Sequence, residues 1–253
     1  MRHLALVLVA ALGAGDVGEA AQAQPRQAQP GLVTFRAADG LPVAAQYRPG
    51  PAGAPLILLF HQADSNKSEY REVTPRLNRA GFGTLAVDAR SGHATQAGDE
   101  RNLTAEAYEK KTGTTAGFEQ AYPDLEAALK WAKAAAPGRR VLVLGSSYSA
   151  NLVFRLAAEH PQDVRAVMAF SPTPEDSVLK AAPRVKVPVF VTSAGSATEI
   201  EAARAVLRAV ASPQKTQFVP RAGPHGASAL TSLGNAAPEP YWQALLAFLS
   251  SLR

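Results

Sequence analysis

Val141-Leu142-Val143-Leu144-Gly145-Ser146-Ser147-Tyr148-Ser149 is the stretch on which the reading of this chain turns. Its four apolar residues run without polar alternation, as a strand buried on both faces requires. The Gly-x-Ser-x-Ser string that follows has the spacing of a sharp strand-to-helix turn that lifts a serine hydroxyl out of a sheet. Residues two before and two after such a serine are crowded together, so they must be small. Gly145 and Ser149 meet that demand around Ser147, whereas Ser146 would be framed by Leu144 and Tyr148, and Ser149 by Ser147 and Asn151. Ser147 is therefore the one well-framed nucleophile of the cluster. Downstream, Ala150 to His160 carries Leu152, Val153, Leu156 and Ala157 on one face and stops at His160-Pro161, which completes a strand–turn–helix unit.

Outward from this unit, strands and helices alternate. Leu32–Arg36 and Val43–Tyr47 read as strands around the Asp39-Gly40 turn. Leu56–Phe60, Thr84–Val87, Val164–Phe170, Val187–Thr192 and Thr216–Val219 are further strands. Helices are expected over Tyr70–Ala80, Tyr122–Ala136, Glu199–Val210 and Tyr241–Leu252. This order predicts an α/β fold, a mostly parallel doubly wound sheet flanked by helices. Residues 93–120 lack clear periodicity and read as a lid, a substrate loop or a disordered segment.

The chain has 253 residues, of which 47% are hydrophobic, enough for one α/β domain with a substantial core. Residues 1–23 read as a secretory signal: a basic start at Arg2 and His3, an apolar run from Leu4 to Gly15, and a small-x-small site at Ala21-Gln22-Ala23. Residues 24–31 are a Pro/Gln-rich linker, and 32–253 form the folded domain. The expected location is periplasmic or secreted, with no stable membrane insertion after signal cleavage. The absence of cysteine excludes disulfides and a thiol nucleophile. The net charge of +5, about +6 once Arg2 leaves with Asp16 and Glu19, is dispersed. No basic stripe with interleaved aromatics occurs, which argues against nucleic acid as a partner. Asn66-Lys67-Ser68 and Asn102-Leu103-Thr104 have glycosylation spacing and are given no weight.

A serine hydroxyl needs a base at neutral pH. Of five histidines, His3 leaves with the signal and His160 lies about 20 Å along the helix from Ser147 at 1.5 Å per residue. His93 stays open in the irregular segment. His61 ends a strand, either supporting the loop after it or merely closing the strand. His225, in Gly223-Pro224-His225-Gly226 between the last strand and the last helix, has the order and place of a triad base. The acid is expected after Val187–Thr192, where Glu199 is the one carboxylate; it also reads as a helix start. Glu175 and Asp176 compete for the role. An oxyanion hole would use the N–H of Tyr148 and one from His61-Gln62-Ala63, with Ala63 first and Gln62 next. No HExxH string or other ligand-spaced cluster suggests a metal.

With the elbow, His61-Gln62-Ala63 and the late His225 in register, the chain resembles the α/β-hydrolase superfamily over roughly residues 34–252, and most of all small dienelactone hydrolase-like serine esterases. Asp88-Ala89-Arg90-Ser91-Gly92 resembles a strand-end stretch that supports structure in that superfamily. Two departures stand out: Ser149 replaces the usual glycine, and Thr198 stands where aspartate is common, with Glu199 beside it. Dienelactone hydrolases proper use cysteine, so their substrate is not implied. The resemblance implies a small or absent lid, no cofactor, and a small-molecule ester cleaved by Ser147, His225 and Glu199. A non-catalytic binding protein on this scaffold and a serine peptidase are the alternatives.

Overall fold

The computed structural model describes residues 29–91 and 100–252. The proposed signal segment, most of the linker and His93 lie outside the described residues. Among the described residues eight strands form one sheet: β1 (Gly31–Arg36), β2 (Pro42–Arg48), β3 (Leu56–Phe60), β4 (Gly83–Val87), β5 (Val141–Ser146), β6 (Val164–Phe170), β7 (Val189–Thr192) and β8 (Lys215–Gln217). Their order is β1-β2-β4-β3-β5-β6-β7-β8. β1 and β2 pair antiparallel, as do β2 and β4, and every pairing from β4 through β8 is parallel. All eight expected strands are present, with boundaries moved by one or two residues, the ordinary scatter of strand ends.

The apolar runs form central strands because helices cover both sheet faces. Leu56, Leu58 and Phe60 of β3 point to one core, and Ile57 and Leu59 to the other. The first core is closed by α3 (Tyr122–Ala135), α4 (Tyr148–Glu159), α5 (Asp176–Ala181) and α6 (Ala197–Ala209). The second is closed by α1 (Val73–Arg79) and α7 (Glu239–Ser250). Every residue of β3, β4 and β5 is buried. At about 1.5–3 kcal/mol for each large apolar side chain withdrawn from water, these strands anchor the domain.

Two helices were not expected. α5 is six residues long, too short for a periodic signal. α2 (Leu103–Thr112) occupies part of the stretch read as irregular. Its hydrophobic face is narrow, with only Thr104 and Ala105 buried, so apolar periodicity does not reveal it. It is fixed by polar contacts instead. The Asn102 side chain caps its first turn by accepting the Ala105 N–H at 2.9 Å, and Thr104 Oγ1 accepts the Ala44 N–H of β2 at 2.9 Å. Asn66 likewise caps a short 3-10 turn by accepting the Ser68 N–H. Both glycosylation-like strings are thus buried helix caps.

Candidate active site

Ser147 sits between β5 and α4 with φ 57° and ψ −121°, a conformation that side-chain-bearing residues avoid. Its N–H donates to the Phe170 carbonyl at 2.9 Å, holding the turn against β6. A Cβ on Gly145 would fall within the backbone of Ser149 and Ala150, which is the crowding the sequence pattern implied. Ser149 fits because its hydroxyl has an acceptor: it donates to the His61 carbonyl at 2.6 Å and so ties the elbow to the loop after β3. The departure from glycine therefore adds a bond between two parts of the site.

His225 Nε2 lies 2.8 Å from Ser147 Oγ, and its Nδ1 lies 3.1 Å from Glu199 Oε2. This is the arrangement of a serine, a base and an orienting acid. Glu199 serves the helix and the site together. Its N–H is capped by Ser196 Oγ at 3.3 Å, while its carboxylate turns out of α6 toward His225 and accepts the Ala194 N–H at 3.1 Å. Burial raises its pKa, but hydrogen bonds from Ser171, Ala194 and His225 outweigh that and hold the carboxyl below its ordinary value. The competing acids lie elsewhere. Glu175 is exposed and accepts from Thr173 Oγ1 at 2.8 Å, and Asp176 opens α5, also exposed. His160 pairs with Glu126 at 3.2 Å, away from the triad.

Two glycines bring the acid and base loops together. Gly195 donates its N–H to the Gly223 carbonyl at 3.1 Å, and a Cβ on Gly195 would strike the Ala222 backbone. Tyr241 of α7 braces the same junction by donating its hydroxyl to the Ser193 carbonyl at 2.9 Å. Ser171 is a site residue the sequence reading missed. It directly follows β6 with φ 56°, accepts the Gly226 N–H at 3.0 Å, and hydrogen-bonds Glu199. A serine directly after a buried strand end, beside the triad strand, is the only sequence signal it offered.

The loop after β3 supplies the other half of the site. The Gln62 N–H, the second choice after Ala63 for the loop's oxyanion donor, is taken by Glu69 Oε2 at 2.7 Å. That corrects the expectation: an amide committed to a carboxylate does not face a developing oxyanion. Ala63 and Tyr148 remain as the candidate donors. His61 supports this loop rather than merely ending a strand. Its Nε2 accepts the Ala89 N–H at 2.9 Å, so its Nδ1 carries the proton and donates to the Gln62 carbonyl at 2.7 Å. Burial lowers its pKa and keeps the ring neutral. Asn102 donates to the Ala89 carbonyl at 2.8 Å and the Ser65 carbonyl at 3.2 Å, joining α2 to the same network. Asp88 is wholly buried and accepts the Lys67 N–H at 2.7 Å and the Lys67 ammonium at 3.1 Å. Arg90 is buried between Asp124 and Asp39. The strand-end Asp88-Ala89-Arg90 stretch is thus structural.

Phe118, half exposed, stacks on Tyr148 at 4.8 Å and presents an aromatic surface beside the elbow. Tyr122 is instead buried, with its hydroxyl on Glu159 at 2.7 Å. Tyr108 packs against the main core. A cavity of about 870 Å³ opens between α3 and the β1 end, lined by Arg36, Lys130 and His160, with no triad residue in its wall. Among the described residues, no group of three histidines or carboxylates could hold a metal ion.

Sheet order, elbow and triad geometry together define an α/β hydrolase. The family described as serine aminopeptidase, S33 (Hydrolase_4) matches residues 53–177, a span that includes Ser147 and ends before Glu199 and His225. The described residues thus have the α/β-hydrolase fold, and residues 53–177 match a serine-hydrolase family of that fold. Its fold is similar to a dienelactone hydrolase from Anabaena variabilis at TM-score 0.67 and 18% identity, over 88% of this chain and 96% of that one. It is also similar to the esterase Pf2001 of Pyrococcus furiosus at TM-score 0.68 and 18% identity, over 88% and 92%. Est1E of Butyrivibrio proteoclasticus, solved with ferulic acid, superposes at TM-score 0.66 and 14% identity, over 87% and 99%. No curated protein matches by sequence.

Proposed function

We propose that this protein is a carboxylic ester hydrolase that works through Ser147, His225 and Glu199. The observation that carries the reading is the continuous chain from Ser147 Oγ through His225 to Glu199, at 2.8 Å and 3.1 Å. In the first half-reaction His225 Nε2 takes the serine proton as Oγ bonds to the carbonyl carbon. The N–H groups of Tyr148 and Ala63 hold the oxyanion that forms. The imidazolium, held by Glu199, returns the proton to the leaving alkoxide as the ester C–O bond breaks. Water then repeats the sequence on the acyl-enzyme and releases the acid.

The family name favours a second reading, a serine aminopeptidase, which shares every step up to the leaving group. We further propose export, because residues 1–23 have the layout of a cleaved signal. The N-terminal sequence of protein recovered from a periplasmic fraction tests this.

The decisive experiment treats purified protein and Ser147→Ala with a fluorophosphonate probe, beside short p-nitrophenyl esters and aminoacyl p-nitroanilides. The expected result is labelling and ester turnover that vanish in the variant, with kcat/KM down at least about a thousandfold. Turnover of anilides in preference to esters would establish the peptidase. A well-folded protein that neither labels nor turns over would be a binding protein on this scaffold.

A further inference from the structure

Glu69 has no place in the triad, yet its carboxyl group lies where three parts of the site meet. Oε2 accepts the Gln62 N–H of the oxyanion loop at 2.7 Å. Oε1 is shut off from solvent, and the hydroxyls of Ser65 and Ser146 and the Ala227 N–H face the carboxyl. Ser146 is the residue before the nucleophile, and its Oγ accepts the Ala227 N–H at 2.8 Å, two residues past His225. The Gln62 side chain closes the cluster: a Cβ on Gly226 would come within 2.6 Å of Gln62 Oε1 and 2.5 Å of Ser146 Oγ. One carboxyl thus binds the oxyanion loop and lies beside the end of β5 and the histidine loop.

Consecutive amides on one loop compete for the oxyanion. Without an acceptor behind it, the Gln62 N–H would be an unpaired donor in a partly buried loop, and the peptide would be free to rotate toward any acceptor, a substrate carbonyl included. Burial pushes the Glu69 carboxyl up to about 7, and either protonation state accepts through Oε2. We propose that Glu69 is a positioning residue: by holding the Gln62 N–H away from the reacting carbonyl, it fixes the loop so that Ala63 is the amide that meets the oxyanion. The inference rests on the serine-hydrolase reading above. It assigns to Glu69 a part in transition-state binding rather than in ground-state binding, so its removal acts on kcat.

The test compares wild type with Glu69→Gln, Glu69→Met and Glu69→Asp, using p-nitrophenyl acetate turnover and the Ki of an aryl trifluoromethyl ketone. That ketone adds the serine Oγ to its carbonyl carbon and leaves an oxyanion in the hole. Methionine keeps the length but offers no comparable acceptor, and aspartate keeps the charge but withdraws the oxygen. Both are expected to lower kcat about thirtyfold or more with KM within about threefold, and to weaken the ketone by the same factor. Glutamine, whose side-chain carbonyl accepts the same N–H, restores kcat to within about threefold of wild type. A folded Glu69→Met at wild-type kcat overturns the proposal, as does a Glu69→Gln variant as slow as Glu69→Met. Should Glu69→Met fail to fold, the aspartate–glutamine pair decides on the same terms. Ser147→Ala run alongside separates the two levels: turnover that survives it sinks the serine mechanism itself, whatever the Glu69 variants do.

Discussion

The two arms of the site are built from different materials. His225 stands on a loop and Glu199 on the first turn of α6, with side chains 44% and 29% exposed, joined by a few bonds and two close-approach glycines. The oxyanion arm, by contrast, is set in a buried polar network of His61, Glu69, Asp88 and Asn102. Proton-transfer groups must keep donors and acceptors available to substrate and water, so they stay near solvent. Oxyanion donors must not reorganise during reaction, so the backbone that carries them is fixed by partners out of solvent. Changes in the exposed arm should therefore remove chemistry at little cost in stability, while changes in the buried arm should cost both.

Glu199→Gln is the largest test of this contrast after loss of the nucleophile. It keeps the shape but disrupts the imidazole tautomer, and kcat is expected to fall about a thousandfold with Tm nearly unchanged. A large drop in Tm would place the acid loop with the buried arm. His61→Ala makes the opposite comparison. It leaves the Ala89 N–H without its acceptor and the Gln62 carbonyl without its donor, each costing about 1–3 kcal/mol. Urea unfolding should show that loss, together with a kcat about tenfold lower. A purely kinetic effect would contradict the division. Ser149→Gly, which deletes the bond to the His61 carbonyl and puts a glycine in the first turn of α4, should cost about 1–2 kcal/mol and change kcat no more than about threefold.

The two arms also titrate in opposite senses. Glu199 is held below its ordinary value, so its contribution to stability is present above the unfolded carboxyl pKa and is lost as pH falls through the folded one. Glu69 is pushed from 4.5 to about 7 by burial. The folded protein then keeps a proton that the unfolded chain has released, and the contribution of Glu69 to stability declines as pH rises from 4.5 to about 7. Its titratable neighbours Tyr70 and Tyr148 are raised by burial and stay neutral there, and Arg71 and Glu72 line the same cavity. Urea midpoints should show Glu69→Gln gaining on wild type between pH 5 and pH 7, while Glu199→Gln keeps a constant offset across that interval. A flat Glu69→Gln difference would mean that the carboxyl is already ionised at pH 5.

Legibility in the sequence followed the same division. Ser147, His225 and Glu199 were readable because each follows a strand on the same edge of the sheet, Ser147 directly and the other two within eight residues, and that order along the chain is a one-dimensional fact. The buried arm was less readable. Glu69 lies in a short 3-10 turn, Asn102 caps a helix with little apolar face, and Ser171 is one serine among many. Their partners are 7, 13 and 55 residues distant in sequence. No periodicity encodes such pairings, which come from backbone donors and acceptors brought together when the sheet forms.

By itself, then, the sequence determined the alternation of strands and helices, the single crowded serine turn and the place of the base, because apolar runs and small-residue spacing act locally. Tertiary structure decided which carboxylate faces His225, which loop amide is taken up by Glu69 and which buried groups hold that loop. Those choices depend on distances between loops that touch only after both sheet faces are covered, and on which polar groups burial then forces to pair.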